Sequence, residues 1–184
     1  MKTRHLLALA AIIIIAGCGS PKSEEKEDTT PHLDFRGTPI CGKLDSFTLP
    51  GYEEIEPEGK YEKVFRKGEY KVYVDFYGVK TEDKKAYNLV EKYPRTSDWK
   101  KAKDLYMSVR DSLAKIYLFQ ETFDTVGTDG RFGVCASSFK AGFPERGSVL
   151  IRVAKEDAFA KGGDVWLEII YFDKEGSDWV KEHK

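Results

Sequence analysis

From residue 61 onwards, apolar side chains return at every second position in one window after another, and this constrains the chain to build a sheet. Tyr70, Val72, Val74 and Phe76 fall on one face of such a segment, and Lys71, Tyr73, Asp75 and Tyr77 on the other. Tyr61 to Phe65 predicts a preceding strand, joined through a Gly68-containing hairpin turn. Ile116, Leu118 and Gln120 alternate with Tyr117, Phe119 and Glu121; Phe132, Val134 and Ala136 follow a turn at Thr128-Asp129-Gly130, and Val149, Ile151 and Val153 come next. Val165 to Phe172 is apolar on both faces except at Glu168, as a central strand covered on each side would be.

Two helices are predicted between the strands at 70–77 and 115–123. Thr81 caps the first, with Ala86, Leu89, Val90 and Tyr93 as its stripe and Pro94 as its stop. Ser97 caps the second, with Trp99, Ala102, Leu105, Tyr106, Val109 and Leu113 on one face. A last helix is expected near Ser177, placing Trp179 and Val180 on the sheet. Short, turn-like connections favour antiparallel pairing. The expectation is one α+β domain over residues 35–184, with a mainly antiparallel sheet of five to seven strands and two or three helices packed on it. Beginning at Phe47-Thr48-Leu49-Pro50-Gly51-Tyr52, the order of elements is similar to that of PsbP-like domains, a fold found in some bacterial lipoproteins.

The N-terminus has a different character. Met1 to His5 is a short cationic head, Leu6 to Ile15 an unbroken apolar run, and Ala16-Gly17-Cys18 follows. Head, apolar run and small residues form the layout of a secretory signal, and the run is shorter than the roughly 20 apolar residues of a stable span. Ile15-Ala16-Gly17-Cys18 resembles the lipobox of bacterial lipoprotein precursors. The resemblance implies removal of residues 1–17 as a signal peptide, a diacylglycerol (and often a further acyl chain such as palmitate) on Cys18, and anchoring on the exported side of a membrane. Two or more acyl chains suffice for stable attachment. Gly19 stands where a retention Asp occurs in many such lipoproteins, which leans towards the outer membrane where one exists.

Residues 18–34 then read as the lipidated Cys and a tether. Gly19 to Pro31 carries no large apolar side chain, so ordering it would not be offset by burial. As a coil, Gly19 to Asp34 spans about 20–25 Å. Removing residues 1–17 leaves 28 basic against 31 acidic side chains. That balance argues against a nucleic-acid partner bound by bulk charge, and leaves membrane attachment to Cys18. Asn88 and Gln120 are the only carboxamides beside 33% charged residues, the trend of thermophile proteins.

Chemistry-bearing residues are sparse. His32 beside the tether and His183 next to the C-terminus read as solvated and unpaired, poor places for a catalytic base. Cys41 and Cys135, an even pair in an exported chain, read as a disulfide; two buried thiols, or zinc held with both histidines, are the alternatives. Glu53, Glu54, Glu56 and Glu58 read as a solvated edge. The 124–130 segment reads as a hairpin turn, since it lacks an EF-hand's ligand alternation, and Gly127, Gly130 and Gly133 lack phosphate-loop spacing. Tyr73 and Tyr77, with Tyr61 and Tyr70, either line a ligand surface or pack beneath the two central helices.

No catalytic residue, metal ligand or cofactor is assigned. The chain reads as a cell-envelope lipoprotein in the cell or outer membrane, not an enzyme, binding an envelope protein or ligand of unknown identity. One alternative is a hydrolase using the Glu53–Glu58 carboxylates opposite Asp124 or Asp129; another is an accessory subunit of an envelope assembly. The last expects an exposed apolar patch.

Overall fold

A computed structural model describes residues 32–80, 83–125, 134–142, 145–155 and 163–183. Cys18, the lipobox, Thr81, Asp129 and the glycines at 127, 130 and 133 lie outside the described residues.

The element order is β1 (Asp34–Phe35), β2 (Thr38–Pro39), β3 (Glu53–Ile55), β4 (Lys63–Lys67), β5 (Tyr70–Tyr77), β6 (Lys85–Lys92), α1 (Trp99–Leu113), β7 (Leu118–Thr125), β8 (Val134–Ala141), β9 (Gly147–Lys155), β10 (Val165–Asp173) and α2 (Lys174–Glu182). β1 and β2 form a small hairpin. The other eight strands make one antiparallel sheet in the order β3-β4-β5-β6-β10-β9-β8-β7. The α+β class and antiparallel pairing match the expectation, with one strand more than its upper bound. Two four-stranded meanders meet at β6 and β10, the one non-sequential pair, with Val90 opposite Ile170.

The helix expected over 81–93 is a strand, β6, and the reason lies in its partner. Asp75 pairs with Asn88 but Phe76 pairs with Ala86, so Tyr87 is an extra residue at a bulge. A bulge resets the alternation. Ala86 and Leu89, three apart, therefore both enter the same core, and that spacing imitates a helical stripe. Val90 is buried on the opposite face, which a single helical stripe would not allow.

α1 does form. Asp98 rather than Ser97 caps it, its carboxylate accepting from the Lys101 N–H at 3.0 Å. Ala102, Tyr106 and Leu113 are buried against β8, β9 and β10, and the Tyr106 hydroxyl lies 2.6 Å from Ser137 Oγ. α1 carries the chain from the sheet centre to the far edge, where β7 starts. The same face is covered over the other meander by irregular chain: Ile40, Leu44, Phe47 and Leu49 are buried, and Phe47 meets Phe65 edge-on at 6.3 Å. The 47–52 stretch, from which the expected order of elements was counted, thus packs as irregular chain. Leu33 is also buried and its N–H donates to Asp173 at 2.8 Å, so the folded unit includes residues assigned above to the tether.

α2 covers one end of the sheet. Asp173 caps it, and Gly176 presses against Tyr77 and Tyr87. Among the described residues, the rest of the face opposite α1 has no helix on it. A smaller apolar cluster of Val64, Tyr73, Val90 and Ile170 lies there, and beside it the open surface is polar and aromatic.

Candidate functional site

Strand alternation aims Lys71 and Tyr73 of β5, Lys92 of β6, Glu168 of β10 and Arg152 of β9 at the open face. Register sets Lys71 opposite Lys92, Lys92 opposite Glu168, and Glu168 opposite Arg152. Two directly opposed lysines are unfavourable. Each is answered from elsewhere: Lys71 pairs with Glu58, and Lys92 stands 3.7 Å from Glu168. Glu168 is 4% exposed; it accepts from Arg152 Nε and Trp166 Nε1, each at 2.8 Å. The single charge in the otherwise apolar run from Val165 to Phe172 is therefore the hub of this face.

The Tyr73 hydroxyl donates to Glu58 at 2.8 Å. Burial first, and that hydrogen bond second, push the phenol well above its ordinary range. The Lys71 and Tyr73 hydrogen bonds hold the Glu58 carboxyl below its ordinary value. The Lys92 ammonium lies 4.4 Å from the Tyr73 ring centre and 5.9 Å from that of Trp166, and Arg95 stacks over Trp166 at 4.8 Å. Glu58, Glu69, Lys71, Tyr73, Lys92, Arg95 and Trp166, with Tyr93 and Pro94, enclose a cleft of about 390 Å³. The cleft offers flat aromatic surface with cations at its rim. That suits recognition by stacking and charge; neither His32 nor His183 lines it.

The tyrosine row divides. Tyr73 and Tyr61 meet on the open face, ring centres 4.9 Å apart. Tyr77 instead packs with Tyr87 and Trp179 under α2, and Tyr70 meets Tyr93 at 5.0 Å by the β4–β5 turn. Lys92, Arg95, Trp166 and Arg152 were not singled out from the sequence. Tyr61 and Tyr73 of the tyrosine row, Glu58 of the acidic edge and the lone Glu168 in an apolar run were the sequence features that fall on this face.

The structure corrects several residue assignments. His32 is not solvated: its Nδ1 lies 3.3 Å from the buried Asp173 carboxylate and its Nε2 3.5 Å from Glu175. His183 stacks on Trp179 with ring centres 4.1 Å apart. Cys41 and Cys135 form no disulfide here. Cys41 feels the charges of Asp173 and Glu175 at the end of β10, whereas Cys135 sits beside the Ala136–Arg152–Glu168 row. Five residues of β10, about 17 Å, separate those levels, and a bridge needs Cα atoms within about 7 Å. Among the described residues no three His, Cys, Asp or Glu side chains converge as a metal set.

Burial, then the neighbouring carboxylates, raise the Cys41 thiol pKa, so its reactive thiolate is scarce near neutrality. Without reductant, both Cys41 and Cys135 should titrate with a thiol reagent in denaturant. In the native protein Cys41 should react slowly and Cys135, fully buried, only on unfolding.

Of the hydrolase alternative, Asp129 lies outside the described residues, and the described strands that carry Glu53, Glu54 and Asp124 stand far apart. Glu53 pairs with Arg66 at 2.9 Å and Glu54 with Lys63 at 3.4 Å, both on the β3 edge. Asp124 belongs to β7, the opposite edge of the eight-stranded sheet. Strand spacing puts about 30 Å between the edges, against the roughly 5–9.5 Å of glycosidase carboxyl pairs. Comparison of the chain with protein-family models, with curated proteins and with solved structures finds no match.

Proposed function

We propose that this is an exported, lipid-anchored envelope protein whose domain binds a ligand or partner without catalysis, through the open face of its sheet. The observation that carries the binding reading is the cleft where Lys92 lies between Tyr73 and Trp166, with Arg95 stacked at its rim. The anchoring reading rests on Ile15-Ala16-Gly17-Cys18 and the polar segment after it. The lipid holds the chain at the cell or outer membrane, the tether gives reach, and the open face meets its target there.

Intact mass of protein extracted from its own membranes tests the anchor. A chain beginning at Cys18 with added acyl mass is expected, and Cys18→Ser should move the protein to the soluble fraction. An unmodified chain cut elsewhere would defeat that half of the proposal. For the binding half, Lys71→Ala with Arg95→Ala should leave Tm within about 2 °C, since both act at the cleft rim. Co-sedimentation with envelope fragments should weaken at least tenfold; unchanged sedimentation with the fold intact would remove the open face from consideration.

A second reading, an accessory subunit of an envelope assembly, has its own observation. Ile116, Leu118 and Phe119, 72%, 68% and 46% exposed, sit where β7 begins the unpaired edge of the sheet. An edge strand beginning with exposed apolar residues is a surface for strand addition.

A further inference from the structure

A second cleft, also of about 390 Å³, lies on the α1 side, where the β1–β2 turn meets the β4–β5 turn. Arg36, Tyr52, Lys67, Tyr70, Glu91 and Tyr93 line it. Its construction is costly in three ways. Glu91 is 1% exposed, facing the core from the penultimate position of β6, and charged groups are rarely buried without strong compensation. One Glu91 oxygen accepts from Arg36 at 2.5 Å, while Oε2 has no hydrogen-bond partner among the described residues. Arg36 itself adopts φ +53°, a left-handed conformation that disfavours a side chain. The two-residue hairpin turn requires it there, with Gly37 following at φ +83°.

Strain and buried charge together hold one guanidinium at the mouth of this cleft. Glu91 takes one of its N–H groups, and the others have no acceptor among the described residues. Lys67 stands on the same wall, its ammonium 5.3 Å from the Tyr52 ring centre and with no carboxylate partner among the described residues. Two cations against one buried carboxylate leave the lining net positive. Tyr52, Tyr70 and Tyr93 supply flat surface and hydroxyl groups.

We infer that this cleft is a binding site for a small organic anion, whose carboxylate or phosphate is taken by Arg36 and Lys67 while its ring or chain lies against the three tyrosines. Glu91 is a positioning residue: it fixes the guanidinium so that the remaining donors stay aimed outward. Arg36 suits the task because its planar fork matches either anion bidentately, and Lys67 adds a point charge.

Thermal unfolding of the purified full chain in low-salt buffer tests this. The probes are benzoate, 4-hydroxyphenylacetate, D-glucuronate and glucose 6-phosphate, with benzamide and D-glucose as neutral counterparts and inorganic phosphate as the bare anion. At least one organic anion should raise Tm saturably, by about 4 °C at ten times its Kd, while its neutral counterpart does nothing. Lys67→Gln, at the surface and outside the buried pair, should raise that Kd at least tenfold. Response to the carboxylates or to the phosphoester identifies the headgroup. Stabilisation by no organic anion, equal stabilisation of Lys67→Gln, or an equal effect of inorganic phosphate would each overturn the site.

Discussion

Arg36→Met is expected to destabilise the fold by about 2 kcal/mol at pH 8, and adding Glu91→Gln should restore most of it. Removing one partner of a buried ion pair typically costs about 3–5 kcal/mol, because the other charge is left uncompensated. The lower figure applies because the Arg36 side chain is 54% exposed and solvent already screens part of the pair. Met keeps the unbranched stem as far as the Nε position and the same backbone penalty at φ +53°, so the loss reports mainly on the guanidinium. The double variant removes both charges and keeps a carboxamide of the same shape in the core.

The pH dependence has a definite sign. Burial raises the Glu91 pKa above its unfolded value, and Arg36 partly opposes this. The folded state therefore holds the Glu91 proton more readily than the unfolded chain does. The penalty for a charged Glu91 applies above its folded pKa and is relieved as pH falls through it. Without Arg36 that pKa rises further. The Arg36→Met deficit should thus be larger at pH 8 than at pH 5, and absent from the pH profile of the double variant. Urea midpoints at constant m would show this. A deficit independent of pH would mean that the pair matters through packing and not through charge.

Gly176→Ala should cost about 2–3 kcal/mol, although helix propensity alone would have it stabilise α2 by roughly 0.5–1 kcal/mol. An added Cβ would lie 2.1 Å from Tyr87 Cβ and 2.8 Å from two ring carbons of Tyr77. The Tyr77 ring can turn aside. Tyr87 Cβ cannot, since it is fixed to the strand backbone, and relief requires α2 to lift from the sheet. Overpacking of this kind is costly. Lifting would separate Trp179 from Tyr77, whose ring centres are 5.4 Å apart, so a red shift in tryptophan emission should accompany the lower midpoint. A more stable variant with unchanged emission would show that α2 does not bear on the sheet as described.

Both effects arise where residues distant in sequence meet, and neither was legible beforehand. Period-two alternation identified β5 and β9, because one buried face imposes that pattern locally, and β10 showed as a run apolar on both faces. It misread β6, where the bulge at Tyr87 brought Ala86 and Leu89 to one side and mimicked a helical stripe. α1 was legible from its stripe, and its cap was misplaced by a single residue, Asp98 for Ser97. The candidate sites were almost invisible. Lys92, Arg95, Trp166, Arg36 and Glu91 carry no mutual spacing in sequence; the local hints were the lone Glu168 and the tyrosines, of which Tyr73 lines one cleft and Tyr70 the other.

What the sequence determined by itself was the kind of element most segments form, because periodicity, caps and turn residues act through near neighbours. The lipobox-like start likewise depends on a few contiguous side chains. Only the tertiary structure decided which faces meet. Joining β6 to β10 brings Lys92 beside Glu168, and the β1–β2 turn brings Arg36 over Glu91. Those neighbours are set by strand register and by which face α1 and the 33–52 chain cover, quantities that depend on the whole sheet at once.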